Sequence, residues 1–222
     1  MKHFSNQSIL VIASLALVAC FTGCTENKKN TEEETGKVLV GVIRWDGWTG
    51  DKGSWQIGPI VERTMGPERF HYRAPFFSEV TGKNSISMDG TSQEVMDREI
   101  LYAKEAGIDY WAYCYYPDGC GLELARKNHQ TSKYANDVNW CVILGGSFEF
   151  DSANDYSSSL VDDFARDNYQ KVAGGRPLVY LLHTTNFTRA GLDKLREMSL
   201  SKGLKTPYVV VMEWDAESAS DR

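Results

Sequence analysis

Two glutamates stand where acid–base chemistry on a sugar could be done. Glu149 follows the short apolar run Trp140–Leu144, and Glu213 follows Pro207–Met212. Cleaving a glycosidic bond takes two carboxyl groups about 5 to 9.5 Å apart: one protonates the leaving oxygen, the other attacks the sugar or activates water. Glu213 and Glu149 are therefore the candidate catalytic pair, with Glu213 as acid/base. Trp45 and Asp46 follow the run Val38–Ile43, Tyr116 and Asp118 follow Ile108–Tyr115, His183 follows Pro177–Leu182, and Trp214 adjoins Glu213. Trp48 lies three residues beyond Trp45. Flat rings beside hydrogen-bonding carboxylates suit a pyranose, which has an apolar C–H face and a hydroxyl rim. Trp45, Asp46, Trp48, Tyr116, Asp118, His183 and Trp214 are the candidate substrate-binding residues.

Other chemistries find less support. The four histidines (His3, His71, His129, His183) are scattered, with no H-E-x-x-H pair, so no metal site is expected. Gly146-Ser147-Phe148 lacks the strand-to-helix nucleophile elbow. Neither G-x-G-x-x-G nor a Walker sequence occurs, and no cofactor is expected. The net charge of −6, with no concentrated basic run, argues against a nucleic-acid partner. Cys114 and Cys141 fall inside strand candidates, where a thiol acts as a small hydrophobe, and Cys120 falls in a loop. Spacing alone leaves their disulfide state open.

The elements that would position these residues alternate along the chain. Val38–Ile43, Ile108–Tyr115, Trp140–Leu144, Pro177–Leu182 and Pro207–Met212 are short, continuous apolar runs rich in β-branched and aromatic residues. Such runs fit strands covered on both faces, as in a parallel sheet. Between them, Thr91-Ser92-Gln93-Glu94 has capping-box spacing ahead of Met96, Ile100 and Ala103 on one helical face, and Gly107 stops that helix. Further helices are expected over Leu122–Tyr134, Leu160–Val172 and Leu192–Leu200, the last ended by Gly203. The segment Arg44–Gly90 reads as one long loop. The expected fold class is α/β, of (β/α)₈ TIM-barrel type. Only about five strand–helix units fit, where a whole barrel typically takes about 250 residues. The expectation is the N-terminal part of a barrel, with two strand edges unpaired.

The N-terminus points to export. Ile9–Ala19 is an uncharged apolar run after Lys2, too short to span a bilayer and right for a signal-peptide core. Leu17-Val18-Ala19-Cys20 has the form of a bacterial lipobox, with Cys20 as the acylated residue; Phe21–Cys24 fits that pattern less well. An ordinary secretory signal is the alternative. Thr25–Lys37 has no large apolar residue and reads as a solvated tether. The expected organisation is a lipoprotein signal peptide over 1–19, a tether over 20–37 and a partial barrel over 38–222. Membrane contact would then be through the lipid anchor only.

Three segments carry a family resemblance: Val40–Trp48 (VGVIRWDGW), Gln93–Pro117 (QEVMDREILYAKEAGIDYWAYCYYP) and Asp167–Leu182 (DNYQKVAGGRPLVYLL). They resemble the (β/α)₈ glycoside hydrolases of the endo-mannosidase kind (the family 99/71-like group) and the related WbsX-like polysaccharide-locus proteins. The lipobox ahead of such a domain resembles surface glycan-degrading lipoproteins of gut Bacteroidetes. The resemblance implies a carbohydrate-active barrel with retaining chemistry. It also places the catalytic carboxylates in a late E-W-x-E segment. Glu213-Trp214-Asp215-Ala216-Glu217 departs from that form, its glutamates four apart, so the resemblance carries no catalytic role onto Glu213 or Glu217. The expected function is an envelope-anchored glycoside hydrolase acting on a mannose-containing or similar polysaccharide. The alternatives are a non-catalytic surface glycan-binding lipoprotein and an unstable truncated product.

Overall fold

A computed structural model describes residues 38–49, 57–116, 120–145, 155–182 and 187–213. All of them belong to the unit that begins at Val38. In chain order the elements are β1 (Gly41–Arg44), α1 (Ile57–Met65), β2 (Ser78–Gly82), β3 (Ser85–Met88), α2 (Gln93–Glu105) and β4 (Tyr110–Cys114). Then follow α3 (Leu124–Thr131), β5 (Asn139–Gly145), α4 (Asp155–Phe164), β6 (Lys171–Val172), β7 (Arg176–Leu182), α5 (Arg189–Ser201) and β8 (Tyr208–Met212). Short 3₁₀ segments occupy Glu68–Arg73 and Gly121–Glu123.

The protein is mixed α/β, with a mostly parallel six-stranded sheet. β1, β4, β5, β7 and β8 lie side by side in sequence order, every pair parallel. β6 runs antiparallel against the start of β7. Each parallel crossover is right-handed by the usual twist rule, and each advances one strand the same way, which sets α2, α3, α4 and α5 on one face. Side-chain bonds tie neighbouring helices into a row. Gln93 of α2 donates to the Asn128 carbonyl of α3 at 2.9 Å, Arg126 of α3 pairs with Asp163 of α4 at 3.1 Å, and Lys202 after α5 pairs with Asp162.

Register divides the strand residues between the two faces. Trp111 and Tyr113 of β4 pair with Trp140 and Val142 of β5, and all four are buried. The rings of Trp111 and Tyr113 lie 5.2 and 5.8 Å from that of His129 on α3, so this set faces the helices. Alternation turns Tyr110, Ala112, Cys141, Ile143 and Tyr180 to the other face. There the hydroxyls of Tyr110 and Tyr180 meet at 2.7 Å. The Tyr110 ring lies over Gly41, where an added Cβ would come within 2.0 Å of its Cζ. Gly41 is on β1 and Tyr180 on β7, three strands away, or about 14 Å in a flat sheet. The sheet is therefore curled toward this face.

Helix ends follow from local chemistry. Ser92 caps α2 by accepting from the Val95 N–H at 3.2 Å, while Thr91 turns back to Asp89. Met96, Ile100 and Ala103 are its buried stripe, and Gly107 closes it at φ +76°. Thr188 caps α5, and Gly203 at φ +74° follows it.

Three expectations need correction. The segment Arg44–Gly90 is not one loop: it carries α1, a 3₁₀ segment and the β2–β3 hairpin. The helix expected over Leu122–Tyr134 is α3 alone, because Ser132 turns extended and its hydroxyl donates to Asp97 at 2.5 Å. The helix expected over Leu160–Val172 is α4, which ends at Phe164. Beyond it the backbone of Asn168 and Gln170 bonds Trp140 of β5 and Leu178 of β7, so that segment belongs to the sheet.

Candidate functional site

Arg44 ends β1 and is held on four sides. Its Nε and Nη2 both donate to Asp46 Oδ1, at 2.9 and 2.5 Å, and Nη2 donates to Glu99 Oε2 at 2.8 Å. Its guanidinium lies 4.3 Å from the Trp111 ring centre and 5.4 Å from that of Tyr113. Arg44 and Asp46 are two residues apart, which puts both on the helix side of the pleat, where α2 supplies Glu99. Burial works against the Arg44 charge, but Tyr113, Asp46 and Glu99 outweigh it. Burial pushes the Glu99 carboxyl upward, and Arg44 holds it back.

Trp45, between Arg44 and Asp46, is 46% exposed. Its side chain neighbours that of Tyr116, whose hydroxyl is pushed up by burial and by nearby Cys114. Asp46 also acts on Tyr116 and on Cys114, so Trp45, Asp46 and Tyr116 come together at the C-terminal ends of β1 and β4. The turn after β1 is locked by Thr49, whose hydroxyl contacts the Asp46 carbonyl at 2.8 Å and the Gly121 carbonyl at 3.2 Å. Trp48 is placed differently. Its ring lies 6.2 Å from that of Phe77 and presses close on Gly90, so it fastens the hairpin segment to the turn.

Trp45, Asp46 and Trp48 also line a cleft of about 650 Å³ along the open side of β1, with Val42, Ile43 and Tyr102 among its other walls. Glu213 directly follows β8 and is half-buried. Glu149, Asp118, His183 and Trp214 lie outside the described residues, as does Cys20. Cys114, Cys120 and Cys141 are free thiols, and burial pushes Cys114 and Cys141 upward.

Glu99 and Tyr113 were absent from the sequence-derived set. Glu99 could have been noticed: it adjoins Ile100 and lies three residues after Met96, so a carboxylate stands at the border of the buried stripe of α2. No three of His, Cys, Asp and Glu gather as a metal site among the described residues. No described helix is long and apolar enough to cross a membrane. No protein-family profile, curated protein or solved structure matches the chain.

Proposed function

We propose that this is a carbohydrate-active protein of (β/α)-barrel type, a glycoside hydrolase that takes a mannose-containing or similar polysaccharide at the C-terminal ends of its parallel strands. The observation that carries the proposal is the Trp45–Tyr116 pair. A half-exposed indole next to a phenol and to the buried carboxylate of Asp46 offers a sugar both a stacking face and polar edges. Barrel architecture is supported by strand order. A doubly wound sheet reverses its order at a switch point, whereas β1-β4-β5-β7-β8 never reverses. The curl marked by Tyr110 and Tyr180 supports it further.

Glu213 is our candidate acid/base, with Glu149 as its partner carboxylate. A purely glycan-binding role is the alternative, favoured by one observation: Asp46 and Glu99, the carboxylates that line the cleft with Trp45, are both engaged by Arg44. Incubation with manno-oligosaccharides, reading both reducing-end release and saturable binding, divides the two. Hydrolysis should fall at least about 100-fold in Glu213→Gln with binding kept. Trp45→Ala should weaken binding roughly tenfold, which is 1.4 kcal/mol. Binding without release in the wild type would leave the non-catalytic role, and no binding at all would overturn the assignment of a mannose-containing glycan.

We further propose that the protein is exported and held to the cell envelope by acylation of Cys20, on the strength of the lipobox sequence. Metabolic labelling with a fatty acid should mark the wild type and not Cys20→Ala; equal labelling would refute the anchor.

A further inference from the structure

Three exposed arginines, Arg69, Arg73 and Arg98, lie against aromatic rings in a protein of net charge −6. The Arg69 guanidinium is 4.7 Å from the centre of Phe70. Arg73 is 5.3 Å from Tyr72, and its Nε donates to the Tyr72 hydroxyl at 2.9 Å. Arg98 is 4.3 Å from Phe76, and its Nη2 donates to the Tyr102 hydroxyl at 3.0 Å. Stacking of this kind orients a guanidinium while leaving other N–H groups for an incoming anion.

Their charges are uncommitted. Arg44, Arg126, Arg166, Arg189 and Arg196 each have a carboxylate partner. Arg69, Arg73 and Arg98 have none among the described residues, although Glu68 and Glu94 are exposed on the same elements. The patch is also continuous with the proposed sugar site. Phe76 meets Tyr102 edge-on at 5.3 Å and Phe77 at 5.2 Å, and Phe77 lies against Trp48. Phe76 and Tyr102 line the same cleft as Trp45 and Trp48. Arg73 precedes Phe76 by three residues, a span of roughly 10 Å at most.

We propose that this patch selects an anionic polysaccharide, its arginines taking the carboxylate or sulfate groups while the rings stack on the sugar faces. Planar arginine forks match both oxyanions bidentately, and exposed aromatic faces match pyranose C–H surfaces. The proposal rests on the carbohydrate assignment above and adds the charge of the substrate to it.

Titration calorimetry on the full 222-residue chain tests it with four probes: hexagalacturonate, a sulfated galactan hexamer, mannohexaose and polyglutamate. At low salt at least one charged sugar should bind ten or more times tighter than mannohexaose, and the advantage should shrink as salt is added. Replacing Arg73 and Arg98 together by Ala should erase that advantage, bringing the charged sugars to the affinity of mannohexaose. A preference for hexagalacturonate identifies carboxylate as the selected group, and one for the galactan identifies sulfate. The proposal is overturned if mannohexaose binds as tightly as both charged sugars, if polyglutamate matches them, or if the double substitution changes nothing. In the first of these cases the carbohydrate assignment survives; if no sugar binds, both fall together.

Discussion

His129 sits on α3 with both ring nitrogens engaged: Nε2 lies 3.0 Å from the Val138 carbonyl and Nδ1 lies 3.1 Å from the Tyr113 hydroxyl. A carbonyl only accepts, so Nε2 carries the proton and Nδ1 accepts from Tyr113 in the neutral ring. Burial lowers its pKa to about 4, helped by the nearby charge of Arg44. An unfolded histidine titrates at about 6.5. Between those values the unfolded chain holds a proton that the native protein refuses, so stability falls as pH drops from about 6.5 to about 4. The full loss is on the order of 3 kcal/mol. Glu99 and Asp163, which burial pushes upward, favour the protonated native state and oppose this at the acid end. Urea denaturation of the wild type and of His129→Gln at pH 7.5 and 5 isolates the histidine. The wild type should lose more stability than the variant across that interval; parallel losses would mean that His129 does not drive the acid sensitivity. The same burial makes this a packing residue.

At the scale of elements, legibility followed the hydrogen bonds. Each expected parallel strand exists within a few residues of its apolar run; in β4, β5 and β7 the run is continuous because both faces are buried, and β1 and β8 carry the same kind of run at the two ends of the sheet. α2 and α5 were legible for a different reason. Each has a side-chain cap, an apolar stripe and a left-handed glycine after its end, all local features. What stayed hidden depends on partners far along the chain. The segment Lys171–Val172 continues an apolar pattern that looks helical, and only β5 and β7 draw its backbone into the sheet. The hairpin Ser78–Met88 has a mixed, half-exposed pattern; Gly82 and Asn84 mark a turn, but no continuous apolar run on either side announces the two strands. The site divides in the same way. Trp45, Asp46 and Tyr116 were legible as strand-end residues, whereas the Arg44–Glu99 pairing spans 55 residues and needs the packing of α2 on β1.

At the scale of the whole sheet, the decisive feature is the edge that β1 leaves open among the described residues. Among the described residues β1 pairs only with β4, and β8 only with β7. Parallel sheets are normally covered on both faces, and exposed edges are normally protected by lysine, proline or a bulge. Val38–Ile43 has none of these, and Val42 on one face and Ile43 on the other are both exposed, Ile43 by 57%. β8 exposes Tyr208 and Val211 at the opposite end of the sheet. The apolar cleft beside β1 continues between that strand and α2, so among the described residues both the strand edge and the helix beside it lack a neighbour there. Such a surface should draw the chain into association through strand pairing at β1. In sedimentation velocity the 222-residue chain should show a mass that rises with concentration. Ile43→Lys places a charge on the exposed edge without touching the Arg44 cluster, and should shift the chain toward monomer while leaving its circular dichroism native. A wild type that stays monomeric throughout, or a variant that associates equally well, would show that the β1 edge does not drive assembly.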